Sequence, residues 1–176
     1  KFMIDVSYKI NEILTRGVDE VIEKENLEKR LKDKERLRIK LGIDPTSPSI
    51  HLGHLSLLLK LKDFQELGHT ILFIIGDFTA EIGDTSDKSS PRPILSSKEV
   101  RSNLKTYKMQ IKKILDSRFT KFYFNSKWLK KLTYKEIAEQ ANIFSLSDFI
   151  SRKNIKTRLD EGSRISLREV IYPLMQ

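Results

Sequence analysis

Two of the chain's three histidines stand three residues apart, in the run His51, Leu52, Gly53, His54. On a helix that spacing puts two side chains on neighbouring positions of one face. The run follows a strand-like pattern and a turn through Pro45 and Pro48, so a helix is expected to begin near His51. The first turn of a helix leaves backbone N–H groups without intrahelical acceptors, and the helix dipole there favours anions. Two imidazoles beside such amides suit phosphoryl oxygens, to which they can donate hydrogen bonds as negative charge builds. Gly53 carries no side chain, which leaves room for a ribose or a base against the helix backbone.

A strand must end just before this site and a helix must start at it. From Leu37, LRIKLGID alternates apolar and polar residues and stops at Gly42, Asp44 and Pro45, the pattern of a strand feeding a turn. The helix that follows sets Leu55, Leu58, Leu59, Leu61 and Phe64 on one face and ends at Gly68. TILFIIGD, from Thr70, is a near-continuous apolar run closed by Gly76 and is expected as a strand buried on both faces of a parallel sheet. Strand, helix and strand make a βαβ unit. Thr79 to Ser97 is rich in Asp, Ser, Thr and Pro, too long and polar for a simple connector, and is expected to be a functional loop. Val100, Leu104, Met109, Ile111 and Leu115 restore helical spacing, and KFYFNS is a short strand leading to Trp128.

Ahead of the first strand, Ile4, Ile10, Ile13, Leu14, Val18, Val21 and Ile22 predict one or two helices. The run from Glu23 to Lys40 mixes both charge signs like a solvated helix face. The expected fold is α/β, a parallel sheet with flanking helices, divided into an N-terminal helical segment, 1–36, and a main domain, 37–176. The sequence opens at Lys1 rather than Met and stops at Gln176 inside the apolar run from Val170 to Met175, so it is expected to belong to a longer protein.

Thirty-three Lys and Arg against 24 Asp and Glu leave a net charge of +9, which favours polyanionic partners such as nucleic acid or phosphate-bearing substrates. With 39% hydrophobic residues the chain can build a core, which excludes intrinsic disorder. The absence of cysteine excludes disulfides, thiolate metal sites and thiol nucleophiles, and suits the cytoplasm. No apolar run is long enough to span a bilayer, so no membrane role is expected.

HLGH after a strand resembles the HIGH signature of class I aminoacyl-tRNA synthetases, and GIDPT ahead of it resembles the tyrosyl-tRNA synthetase form. FIIGDFTAEIGDTSDK, Phe73 to Lys88, resembles that family's second conserved loop; FNSKW, Phe124 to Trp128, its Asn-x-x-Trp segment; and YPLMQ, Tyr172 to Gln176, its Tyr-x-x-x-Gln helix. The resemblance runs from about Leu37 to the last residue. It implies a Rossmann-like catalytic domain that activates L-tyrosine with ATP and transfers it to tRNA(Tyr), acting as a homodimer. It implies ATP as substrate with Mg2+ on its phosphates, and no tightly bound cofactor or protein-held metal.

Carried over by position, Thr46 and His51 would meet the ATP phosphates. His54, Gly53, Gly42, Asp44 and Pro45 would bind the nucleotide, and Lys88 and Arg92 would hold the departing pyrophosphate. Asp84, Tyr172 and Gln176 match residues that hold the α-ammonium of tyrosine, with Thr79, Asn125 and Trp128 lining or supporting that pocket. The sequence departs from the family pattern at Lys40, where many tyrosyl enzymes have a Tyr that reads the substrate phenol, and at Thr85 and Asp87, which replace an expected Pro and Gly. The acidic partner of the phenol, the second, Lys-rich signature and a tRNA-binding domain would all follow Gln176, so a chain of this extent is expected to catalyse poorly. The tryptophanyl enzyme, small nucleotidyltransferases with an HxGH helix start, and a non-catalytic nucleic-acid-binding module are the alternatives. The last leaves the paired histidines without a role.

Overall fold

Capping and turn chemistry divide the chain into many short helices around three strands. The structure is a computed structural model that describes residues 6–83 and 95–175. Its order is α1 (Val6–Thr15), α2 (Lys24–Lys32), β1 (Arg38–Ile43), α3 (Leu52–Glu66), β2 (Thr70–Ile75), α4 (Thr79–Ile82), α5 (Ser97–Lys112) and β3 (Thr120–Phe124). There follow α6 (Ser126–Leu129), α7 (Tyr134–Ala141), α8 (Leu146–Ile150), α9 (Lys153–Asp160), α10 (Leu167–Ile171) and a 3-10 turn (Tyr172–Met175). The strands form one sheet in the order β1-β2-β3. Thr70 N–H donates to Leu37 O and Gly76 N–H to Ile43 O; both chains advance by six residues between these bonds, so β1 and β2 are parallel. Ile71 N–H to Phe119 O and Asn125 N–H to Ile75 O set β3 parallel to β2 in the same way. Among the described residues no helix is long and apolar enough to cross a membrane.

The chain divides into two compact units: Lys1–Leu41, Ser49–Phe73 and Tyr107–Phe122 form the first, and Gly42–Pro48, Ile74–Thr106 and Tyr123–Gln176 the second. In the first, Ile10, Ile13 and Leu14 of α1 are buried with Leu31 of α2 and Leu37, and Phe64 and Leu67 pack against them. Gly17, at φ 63°, ends the helical path after α1, so Val18, Val21 and Ile22 do not continue it; Ile22 is 83% exposed. Lys60 Nζ donates to the carbonyls of Glu12, Ile13 and Arg16, which ties α3 to the last turn of α1.

Two expectations are corrected here. On α3, Leu58 and Leu61 are buried as expected, but Leu59 is exposed. The buried face instead takes Asp63 and Gln65, and both are paired. Asp63 meets Arg16 and Lys9, while Gln65 donates to Thr120 Oγ1 and Asp116 O and accepts from Asp116 N–H. On β2, burial alternates: Ile71, Phe73 and Ile75 are fully enclosed, whereas Leu72 and Ile74 on the opposite face are half-buried, so the strand is not closed on both faces.

In the second unit the sequence after Trp128 breaks into α7 to α10; Thr133, Ser145 and Ser166 open α7, α8 and α10 with capping boxes completed by Glu136, Asp148 and Glu169, and α9 starts after Arg152 without a side-chain cap.

Candidate active site

In the first unit the HLGH run folds as anticipated. His51 is the N-cap of α3, in extended conformation, and its side chain makes no capping bond. Its carbonyl already accepts from the N–H groups of His54 and Leu55. The amides of Leu52 and Gly53, at the first two helical positions, therefore have no acceptor within the helix. The two imidazoles stack, with ring centroids 3.8 Å apart and planes at 20°. Burial, and then the neighbouring His51, push the His54 pKa below its ordinary value. His54 Nδ1 is buried and meets no hydrogen-bond partner among the described residues. Gly53 has a second use besides ligand approach, since a Cβ there would stand 3.2 Å from His51 Cε1 and press on the ring. Ile50 N–H, one residue ahead of the cap, is held by Gln110 Oε1 at 2.9 Å.

In the second unit a hydrogen-bonded network surrounds Asp44. Its Oδ1 accepts from the Thr79 hydroxyl at 2.6 Å, and its Oδ2 accepts from the Tyr172 hydroxyl at 2.6 Å. Asn125 Nδ2 donates to Thr79 Oγ1 at 2.8 Å, while Asn125 Oδ1 accepts from Phe78 N–H. Thr79, Asn125 and Tyr172 are all buried. Both carboxylate oxygens of Asp44 are thus occupied by side chains expected on the tyrosine side of the site. Gly76 makes the cluster possible, because a Cβ at that position would overlap Asp44 Oδ1 and Thr79 Oγ1. Tyr172 is set at the end of α10, whose capping residue Glu169 accepts from Arg158 Nη1 at 2.6 Å; these two side chains are 5% and 7% exposed.

Thr46 is exposed in the turn after β1, with its N–H donating to Asp44 O; Gly42 and Pro45 lie in the same 42–48 segment. Trp128 does not join the Asp44 cluster: it is 41% exposed and lines a separate hollow of about 260 Å³ with Leu132, Phe144 and Leu174. Asp84, Lys88, Arg92 and Gln176 lie outside the described residues. Sequence reasoning took Gly76 only as the end of a strand and passed over Asp77, whose carboxylate accepts from both the N–H and the hydroxyl of Ser126. The local signal for Gly76 was its place at the end of an apolar strand, where close approach of another backbone or side chain is common.

A parallel βαβ unit whose first strand turns into a helix opened by His-x-Gly-His has the form of a class I synthetase nucleotide site. The model of the family "tRNA synthetases class I (W and Y)" matches residues 32–176, and the chain belongs to that family. It is 48% identical over 169 residues to a tyrosine–tRNA ligase of Carboxydothermus hydrogenoformans, covering 94% of this chain and 41% of the relative. It is 45% identical over 174 residues to the Mannheimia succiniciproducens ligase, covering 99% and 44%. The chain therefore spans less than half the length of these curated relatives. Among solved structures, the tyrosyl-tRNA synthetase of Archaeoglobus fulgidus complexed with L-tyrosine superposes with a TM-score of 0.72 at 28% identity, over 98% of this chain and 50% of that one. A truncated Aspergillus nidulans mitochondrial enzyme shares the fold at a TM-score of 0.80 and 22% identity, over 97% and 51%.

Proposed function

We propose that the chain is the amino-acid-activating part of a tyrosine–tRNA ligase. The observation that carries this reading is the stacked His51 and His54 pair at the start of α3, beside amides without helical acceptors. Tyrosine as the substrate is supported by relatives at 44–48% identity that are named tyrosine–tRNA ligases.

In the first step an oxygen of the tyrosine carboxylate attacks the α-phosphorus of ATP. The bond from that phosphorus to the bridging oxygen breaks, and pyrophosphate leaves with the bonding pair. A carboxylate is already nucleophilic at neutral pH, so the protein positions the reactants and stabilises charge rather than removing a proton. Thr46 and His51 donate to phosphoryl oxygens as they gain charge, Gly42, Pro45, Gly53 and His54 receive the nucleotide, and Lys88 and Arg92 hold pyrophosphate. Tyr172, with Asp84 and Gln176, holds the α-ammonium; Asp44 fixes the direction of the Tyr172 hydroxyl, and Thr79 and Asn125 fix Asp44. In the second step a hydroxyl at the 3′ end of tRNA(Tyr) attacks the acyl carbon and AMP leaves.

Mg2+ would travel with the ATP phosphates. Among the described residues no group of three or more His, Cys, Asp or Glu side chains is placed to hold a metal ion. The ligase acts in the cytoplasm as a homodimer; exposed Tyr134, Ile143, Leu146 and Leu167 in the second unit support pairing with a second copy. Residues 37–176 are the catalytic part and 1–36 a helical support.

The test is exchange of labelled pyrophosphate into ATP by the full-length natural chain, offered tyrosine, tryptophan or phenylalanine. Tyrosine-dependent exchange that is lost in His51→Ala is expected. Exchange with tryptophan instead would move the chain to the other branch of its family, and no exchange with any of the three would overturn the reading.

A further inference from the structure

The segment 44–50 has no helix or strand of its own, and prolines at positions 45 and 48 remove two of its N–H donors. Such a segment must be fixed from outside if it is to present Thr46 and lead into His51 at a defined place. α5 supplies three polar side chains for this, at positions 103, 106 and 110, a spacing that keeps them on one helix face. In the second unit, Asn103 Nδ2 donates to Pro45 O at 2.9 Å and the Thr106 hydroxyl donates to Pro48 O at 2.6 Å. In the first, Gln110 Oε1 accepts from Ile50 N–H at 2.9 Å. None of the three side chains is fully exposed, and α5 is anchored beside them by buried Val100, Tyr107 and Ile111.

We propose that Asn103, Thr106 and Gln110 are positioning residues for the activation step, setting the backbone on either side of Thr46 and immediately ahead of His51. All three bonds go to main-chain atoms rather than to the side chains of Thr46 or His51. Thr46 follows Pro45 and precedes Pro48 by two residues, so the backbone that carries it is held on both sides. His51 follows Ile50, so the bond to Gln110 sets the entry of the chain into the N-cap. The inference rests on the ligase reading for its chemistry and on the observed hydrogen bonds for its structure. A misplacement of about 1 Å at such a site costs about 100-fold in rate without removing any reacting group.

The experiment uses the full-length chain and the variants Thr106→Val, Gln110→Met and their double, with Thr106→Ser and Gln110→Glu as conservative controls. Thr106→Val keeps the shape and removes the donor, while Thr106→Ser restores it. The expected result is an about 10- to 100-fold fall in kcat of tyrosine-dependent pyrophosphate exchange in the double variant, with KM for tyrosine unchanged and partial recovery in the conservative pair. Amide hydrogen exchange over residues 49–55 should quicken in Gln110→Met, a readout that needs no activity. Exchange kinetics within two-fold of wild type in the double variant would overturn the proposal, as would unchanged amide protection at Ile50. A wild-type chain without tyrosine-dependent exchange would sink the ligase reading instead, and amide protection would still decide whether Gln110 holds the loop.

Discussion

At the start of α3 the residues proposed to meet phosphate stand within four positions of one another, with exposed or half-buried side chains and helix amides beside them. Around Asp44 the proposed site residues come from separate segments, as far apart as positions 44 and 172, and buried Thr79, Asn125 and Tyr172 are bound with half-buried Asp44 into one network. The first region leaves the amides of Leu52 and Gly53 without helical acceptors and the His51 side chain without a capping bond. The second binds its polar side chains to one another, so each member orients the next. A site for developing phosphate charge needs open donors, whereas a site that selects one amino acid needs polar groups that cannot relax when the wrong side chain enters.

Removing the support of the second region should have the largest effect. Arg158→Ala removes the guanidinium from a buried ion pair with Glu169 Oε2, leaving that carboxylate without its countercharge, and a loss of about 3–5 kcal/mol in unfolding free energy is expected from denaturant titration. A loss below about 1 kcal/mol would mean that the pair is not what fixes Tyr172.

A paired glycine experiment separates the regions more finely. Gly76→Ala must displace Asp44 or Thr79, and should cost about 1–3 kcal/mol together with a raised KM for tyrosine. Gly53→Ala lies in an exposed first helical turn, where alanine gains up to about 1 kcal/mol of helix propensity, yet it pushes on the His51 ring. Its expected signature is unchanged or slightly raised stability with slower pyrophosphate exchange. Equal losses of stability in both variants would erase the distinction between an open and a closed region.

The same contrast explains what could be read from the sequence. The helix start at HLGH was legible because it depends on neighbours in the chain and on the generic signals of a helix terminus. The parallel βαβ unit was legible from its apolar periods and from Gly42, Gly68 and Gly76 at element ends. The partners of Asp44 were not, because a carboxylate after a strand is equally suited to a nucleotide and to a pair of hydroxyls; they come from Thr79, 35 positions away, and Tyr172, 128 positions away. Leu59 was misplaced because apolar spacing does not register that Asp63 and Gln65 would be buried with partners of their own. Asn103, Thr106 and Gln110 look like an ordinary polar helix stripe until the loop they hold is known.

The smallest effect concerns acid. All three histidines belong to the first unit, and burial pushes both His54 and His69 below the ordinary value of 6.5. With folded pKa values depressed, the native chain binds fewer protons than the unfolded one below that value. Stability is therefore complete above it and declines as pH falls from the unfolded pKa toward the folded ones. His69 has a definite reason to resist protonation: its Nδ1 accepts from Leu37 N–H at 3.3 Å, and a proton on that nitrogen would face a donor with a donor. Asn in its place keeps an acceptor near that position and does not titrate. His69→Asn should therefore flatten the decline in unfolding free energy between about pH 7 and pH 5 while changing stability little at neutral pH. An unchanged pH slope would assign the sensitivity to His54, at the start of α3, rather than to His69 beyond its end.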